Sequence, residues 1–489
     1  TLGNVTINNP GEGTTTINPT NLTPVNSSRT LADLATVELT DYQASFNPDG
    51  SLQAVLPVVS KITIDGSSQA TLDLRAGVDW AQLGGLPTSP TILGAVTPAS
   101  EDGSTATRAD ITVTGTIRVN QPGGLMLLTN QFYPNNLEGT ISPQGMDTST
   151  TIVGANGGDI RLYGRGDITL AGRLSTSSYL YFEPGDSGNG GAISLAAAGA
   201  ISLPNSPLDS SSYSSLGAAG QGGNISLSSY SGNISLLSSF FNSDSGALAG
   251  NSGQGGNISL VTHSGNILLS DVESETGFSV GSSLSSRSVT FGGDSAKGGD
   301  ISLISYSGAI SLIRATETGF LFLSGLCSNS LSATGLYSEP GTYSNNSGPG
   351  GNISLISHSG NISVEKYEQF DSGSASVSGS GSSAGHILLR TDSGSISLST
   401  LSLLSGSYSS LSSEDAPSVQ GISLISGSGD ISLTDVYPSS STVSGSGNAK
   451  DGGDILFKTG SGNISLTNSA INSTSSAGSG TAGQGGNIS

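Results

Sequence analysis

The sequence predicts an all-β chain folded as a parallel β-helix, a β-solenoid of about 33 residues per coil, preceded by an irregular β-rich N-terminal portion. Three observations predict it. A phrase of the form Gly-Asn-Ile-Ser-Leu recurs with its isoleucine at Ile160, Ile193, Ile225, Ile258, Ile301, Ile353, Ile387, Ile422, Ile455 and Ile488, in steps of 33, 32, 33, 43, 52, 34, 35, 33 and 33 residues. A fixed period in this range marks stacked repeats. A second copy follows each of the first nine by 8 or 9 residues, from Ile168 to Ile464. Within each phrase, apolar residues flank a small polar one at i and i+2, which is strand alternation, and β-branched Ile suits a pleated surface.

The elements follow from that phrase. Glycine ahead of the strand permits a positive-φ corner, and Asn or Asp beside it tolerates the same geometry. Strands of three to five residues are not stable alone and must pair with their equivalents one repeat away. The nine-residue step is too short for a complete coil, so each coil carries two phrases on two faces. A third segment closes a triangle, with Ala470-Ile471-Asn472-Ser473-Thr474 as its candidate strand. Ten coils at about 4.8 Å each give a rod section of roughly 50 Å. The longer steps fall between Leu269 and Gly298 and between Leu312 and Gly350, predicting insertions outside the helix at 270–297 and 313–349. The stretch Ser374–Ser383 reads as a flexible or surface turn.

Residues 1–109 form the irregular region, and 110–489 carry the solenoid repeats. Eleven of the 18 prolines and the only tryptophan, Trp80, lie in the first 150 residues. Strand alternation appears at Asn4–Asn8, Thr36–Leu39, Lys61–Ile64, Thr71–Leu74 and Asp110–Val119. Asn47-Pro48-Asp49-Gly50 predicts a hairpin turn and Asp65-Gly66 another. Leu86–Asp102 reads as a surface loop, and no helix is suggested beyond a turn near Leu31–Leu34. The region is either solenoid coils decorated with hairpins or a separate β cap.

Composition narrows the function classes. Only 10% of residues are charged and 72 are glycine, which alone would suggest disorder, but the regular Ile/Leu positions supply a buried stripe. A net charge of −21 leaves nothing to neutralise phosphates and argues against nucleic acid. Acidity serves solubility, or attracts divalent cations. Cys327 is the only cysteine, so no intramolecular disulfide forms, which suits export as an unfolded chain. No run approaches the roughly 18 apolar residues of a transmembrane helix. There is no initiator Met or signal-like start and the chain stops in mid-motif at Gly485-Gly486-Asn487-Ile488-Ser489, so it reads as part of a longer, processed protein.

The phrases Gly-Gly-Asn-Ile-Ser-Leu and Ser-Gly-Asn-Ile-Ser-Leu, with Asp167-Ile168-Thr169-Leu170-Ala171-Gly172-Arg173-Leu174-Ser175, resemble the coils of filamentous-haemagglutinin-like exoproteins of the two-partner secretion pathway, notably the cyanobacterial ones. The resemblance covers about residues 110–489. The family's N-terminal secretion domain, with its Asn-Pro-Asn-Gly-type signature, is not found. The resemblance implies a right-handed helix secreted through an outer-membrane partner to the cell surface or medium, for adhesion, surface fibres or cell–cell contact.

Candidate sites are few. Seven Asn-Ile-Ser sites, at Asn224, Asn233, Asn257, Asn352, Asn361, Asn463 and Asn487, match the glycosylation pattern, yet each sits at a corner entering a strand. Stacked corner residues, Asn224, Asn257, Asp300, Asn352 and Asp454, are expected to form a hydrogen-bonded polar ladder whose amides bond along the rod. Tyr230, His263, Tyr306 and His358 fall three residues after the first strand's Leu in four consecutive coils, predicting an exterior stripe able to hold sugar rings or a partner protein. The plainer reading is a corner that favours flat side chains. No Cys or carboxylate pattern makes the histidines zinc ligands, so neither metal nor cofactor is expected beyond weak Ca²⁺ binding. Asp271, Glu273 and Glu275, or Glu365, Glu368 and Asp371, are the acidic clusters that would supply it.

Exterior strand positions read as overwhelmingly Ser, and acidic residues scatter among turns, so no convergent carboxylate pair marks an enzyme. The expected function is a secreted or cell-surface structural rod, acting as fibre, sheath or adhesin and self-associating into filaments or a lattice. A surface-glycan-binding module built on the Tyr/His stripe is the alternative, a polysaccharide-active enzyme a remote one. An ice-binding solenoid would call for outward Thr ranks where Ser stands.

Overall fold

The structure is a computed structural model that describes strands at residues 5–7, 13–17, 29–31, 35–46, 52–64 and 70–75, and then residues 111–119, 122–129, 140–164, 166–271, 282–314, 325–332, 346–366, 369–410 and 415–489. All regular structure among them is β. Among the described residues there are three parallel sheets of 12, 18 and 9 strands, the last beginning at Ser178, beside an antiparallel sheet of 3. The molecule is a parallel β-helix.

The first sheet takes the first phrase of every coil. Isoleucine lies over isoleucine at each step from Ile160 to Ile455, and Ile488 bridges onto Ile455. The second sheet stacks the second phrase in the same way, from Ile168 to Ile464. The first and third residues of each phrase point inward. Ile225, Leu227, Ile258, Leu260, Ile353 and Leu355 are fully buried, each side chain stabilising by about 1.5–3 kcal/mol.

The second sheet continues past a bend into a short distal strand, whose inward column is Leu208, Phe241, Leu284, Leu326, Phe370 and Leu403. The bend is a left-handed residue, at Asn205, Ser238, Lys366, Thr400, Asp435 and Asn468, with φ between 49° and 59°. None is glycine. Inter-coil bonds such as Asn205 N–H to the Leu237 carbonyl (2.8 Å) and Ser238 N–H to the Ser270 carbonyl (2.8 Å) hold this conformation in successive coils.

The third face differs from the expected one. It runs through Ser178–Leu180, Ser212–Ser214, Ser245–Ala247, Ser288–Thr290, Ser330–Ser332, Ser374–Ser376, Ser407–Ser409, Thr442–Ser444 and Ser475–Ala477. In the last coil it is therefore Ser475–Ala477 and not Ala470–Thr474; Asn472 bridges to Ser439 at the end of the distal strand. The first position in these triplets is buried wherever it is Ser212, Ser245, Ser288, Ser330, Ser374 or Ser407. Much of the serine expected outside is thus inside, and Ser374–Ser376, expected in a flexible turn, is a paired strand.

The two long steps also hold more regular structure than an insertion. Ser283–Ser285 and Ser288–Thr290, within 270–297, pair with Phe240–Asn242 and Ser245–Ala247. Gly325–Cys327 and Ser330–Ser332, within 313–349, pair with Gln369–Asp371 and Ser374–Ser376. Residues 272–281, 315–324 and 333–345 lie outside the described residues.

In the N-terminal region, Val5–Ile7 pairs in parallel with Ile117–Val119, Gly13–Ile17 with Ala70–Leu74, and Thr71–Arg75 with Leu125–Thr129. Arg29–Leu31, Ala35–Phe46 and Leu52–Ile64 form the antiparallel sheet. The expected hairpin turn at Asn47–Gly50 lies outside the described residues, and the strands on either side, Ala35–Phe46 and Leu52–Ile64, are paired antiparallel. Asp65-Gly66 lies outside the described residues, and the strands that flank it, Leu52–Ile64 and Ala70–Arg75, belong to different sheets instead of forming a hairpin. Leu86–Asp102 and the Leu31–Leu34 turn beyond Leu31 lie outside the described residues. Among those described, no helix is long and apolar enough to cross a membrane.

Candidate functional site

The corner ladder forms, by a different bond from the expected one. The side-chain oxygen of each corner residue accepts the backbone N–H of the equivalent residue one coil on. Asn224 Oδ1 takes Asn257 N–H at 2.8 Å, Asn257 Oδ1 takes Asp300 N–H at 2.8 Å, and Asp300 Oδ1 takes Asn352 N–H at 2.8 Å. Asn352 passes the chain to His386 N–H at 2.9 Å, and Asp454 serves Asn487 N–H at 2.7 Å. Only an acceptor is required, which explains why Asp and Asn interchange. His386, unmarked by the sequence pattern, joins the column; its Nε2 lies 3.0 Å from Ser423 Oγ and burial lowers its pKa. Gly421, at φ 101°, interrupts the column before Asp454. A parallel ladder runs through Asn233, Asn266 and Ala309 at 2.8 and 2.7 Å.

A second set of ladders is internal and was not anticipated. Ser212, Ser245 and Ser288 hydroxyls donate to the carbonyls of Gly188, Gly220 and Gly253 at 2.7, 2.6 and 2.8 Å. At the end of the first sheet, Ser229, Thr262, Ser305, Ser357 and Thr391 donate to the carbonyls of Gly199, Gly232, Gly265, Gly308 and Gly360 at 2.7 to 3.0 Å. Buried hydroxyls are tolerated only when paired, and here the glycine corners provide the partners. Those corners have no room for a side chain: a Cβ on Gly256 would stand 2.1 Å from the Gly223 carbonyl oxygen and 2.3 Å from Ser243 Oγ.

The Tyr/His stripe is on the exterior. Tyr230, His263, Tyr306 and His358 stack in sequence, with ring centroids 5.3, 4.9 and 5.1 Å apart. His358 Nδ1 lies 2.7 Å from Asp392 Oδ2, and Arg390 Nε is 3.0 Å from Asp392 Oδ1. The bond to His358, assisted by Arg390, holds the Asp392 carboxyl below the usual carboxylate range. His263, Tyr306 and His358 stack along the rod, while Tyr230 is tilted 35° to His263.

Of the acidic clusters, Asp271, Glu365 and Asp371 are among the described residues. Asp271 Oδ1 accepts Ser282 N–H at 2.5 Å, while Asp371 accepts Gly373 N–H at 2.9 Å and Asn329 Nδ2 at 2.7 Å. Glu273, Glu275 and Glu368 lie outside the described residues. Among those described, no group of three or more His, Cys, Asp or Glu side chains is placed to hold a metal ion. Cys327 is buried, and its thiol is pushed up to about 11, first by burial and then by Asp371.

A concavity lies where the distal strand of the second sheet meets the third. It is a cleft of about 620 Å³ lined by Arg118, Gln144, Asp147, Arg173, Ser175, Tyr179 and Asp209, among others. Arg118, Asp147, Ser175 and Asp209 occupy one column in successive coils. Arg118 Nε is 3.1 Å from Asp147 Oδ2, and Arg173 pairs with Asp209. Tyr179 stacks on Tyr213 at 4.7 Å, and Tyr181 stands beside both rings at 6.1 and 6.3 Å. Burial foremost raises the phenol pKa of Tyr179, so it stays protonated near neutral pH. This cleft escaped sequence reasoning because its residues sit in the first coils, where the Gly-Asn-Ile-Ser phrase is weakest.

No family model, curated protein or solved structure matches the chain.

Proposed function

We propose that this chain is a secreted or cell-surface structural protein, a stiff β-solenoid rod that acts as an extracellular fibre, sheath or adhesin. The observation that carries the reading is the unbroken in-register stacking of the first sheet, where strand pairs with equivalent strand across 12 members. Each coil contributes backbone hydrogen bonds directed along the rod, a column of buried Ile and Leu, and polar ladders inside and at the corners. Load applied at one end is carried by bonds of one kind throughout. The outward position between the Ile and Leu of the first phrase is mostly serine, as a hydrated stalk needs, while the next outward position carries Val261, Ile304 and Ile356. The repeat phrases that resemble filamentous-haemagglutinin-like exoproteins support export by two-partner secretion, with an outer-membrane partner. The single buried Cys327 fits passage as an unfolded chain. Flat strand faces and open coil edges offer surfaces for self-association.

A glycan platform on the Tyr/His stripe is less favoured, because His263 and Tyr306 each have a ring partner on both sides.

Electron microscopy of the native protein on cells and after gentle release tests the proposal. Ordered filaments or a lattice with a ~4.8 Å axial spacing are expected. Globular particles would overturn the rod reading, and isolated monomeric rods would remove the fibre and leave the adhesin.

A further inference from the structure

We propose that the cleft between the second and third sheets binds a short neutral oligosaccharide. This deepens the adhesive part of the reading above and rests on it for a surface location only; the cleft itself is argued from its own geometry.

Two carboxylates and two guanidiniums sit in the cleft, so its fixed charges cancel. Asp147 and Asp209 lie in one column with Ser175 between them, two coil rises or about 10 Å apart along the rod. Both are locked in orientation. Asp147 Oδ1 accepts Ser149 N–H at 2.9 Å and Ser149 Oγ at 2.5 Å, while Arg118 holds Oδ2. Asp209 Oδ1 accepts Ser211 N–H at 3.2 Å, Ser211 Oγ at 2.7 Å and Asn242 Nδ2 at 3.4 Å, with Arg173 on Oδ2. These side chains are only 22% and 13% exposed, whereas Arg118 and Arg173 are 54% and 56% exposed. Each guanidinium therefore holds its carboxylate with one edge and keeps further N–H donors toward the open side.

That arrangement offers planar acceptors and planar donors side by side, flanked by the exposed Gln144 amide. Vicinal sugar hydroxyls, each both donor and acceptor, match such a surface. A phosphate or sulfate would meet Asp147 and Asp209, and an ammonium would meet the two arginines. Tyr179 completes the site. One of its faces is covered by Tyr213, Tyr181 stands beside it, and the residue lines the cleft at 40% exposure. The apolar C–H face of a pyranose stacks on such a ring. A volume of about 620 Å³ lies within the range of small-ligand sites.

The test is retention of the native protein on an array of neutral and anionic oligosaccharides, followed by calorimetry with the best neutral fragment. Neutral fragments should bind. Tyr179→Ala and Asp209→Asn should each weaken binding about tenfold or more, Tyr179→Phe should preserve it, and Tyr230→Ala on the distant stripe should leave it unchanged. Circular dichroism of each variant confirms the fold. Retention of anionic glycans alone, an unaltered affinity in both Tyr179→Ala and Asp209→Asn, or equal loss in Tyr230→Ala would overturn the proposal. Intact filaments that bind no glycan would remove the cleft and leave the fibre, whereas glycan binding by protein that forms no filaments would do the reverse.

Discussion

Ser305 is fully buried, donates to the Gly265 carbonyl at 2.9 Å and accepts the Gly308 N–H at 2.9 Å. Ser305→Ala removes both bonds and leaves two backbone groups unpaired, so it should destabilise the rod by about 1–3 kcal/mol. Ser305→Thr should be nearly neutral, since Thr262 and Thr391 hold the same column. Chemical denaturation of the two variants checks this, and equal losses would show that volume rather than the hydroxyl decides. The corner residues were legible at this scale because Asn and Asp beside glycine have few other uses. The internal serines were not. Serine is ordinarily exposed, and nothing in a Ser-rich text distinguishes the hydroxyl that meets a glycine carbonyl inside from one that meets water. The left-handed bend was hidden for a similar reason: Thr400 and Lys366 carry no turn signature, and the bend is held by bonds to the next coil.

Removing residues 422–454, one coil of 33 residues, would bring Ile455 directly onto Ile387, Ile464 onto Ile396 and Ser475 onto Ser407. Every ladder keeps its phase, because each coil contacts chiefly its neighbours. The shortened protein should retain its β circular dichroism and melt close to the parent, with a rod about 4.8 Å shorter. Removing 422–438 alone should abolish the cooperative melt, as it takes out both phrases of that coil and leaves its third-face strand, Thr442–Ser444, without them. If both deletions unfolded the chain alike, the coils would not be interchangeable units. Strand positions on the first two faces were readable from the sequence because Ile-x-Leu marks which residues turn inward. The third face lacks that mark. Ser283–Ser285 and Ser288–Thr290 look like linker text, and this stretched the expected insertion over a regular strand pair.

The whole molecule carries 36 acidic and 15 basic side chains, a net charge of −21. Rods that associate side by side bring those charges together over their full length, so lateral assembly should be held off at low salt. Screening length falls from about 30 Å at 0.01 M to about 3 Å at 1 M ionic strength. Light scattering and electron microscopy across a NaCl series should therefore show bundles appearing as salt rises. A CaCl₂ series matched in ionic strength separates general screening from direct bridging of carboxylates. Bundling by Ca²⁺ at ionic strengths where Na⁺ leaves the rods apart would replace screening with direct bridging between carboxylates. Bundling that ignored salt altogether would place the contacts on uncharged faces, where Ser-rich strands meet without bringing acidic groups close.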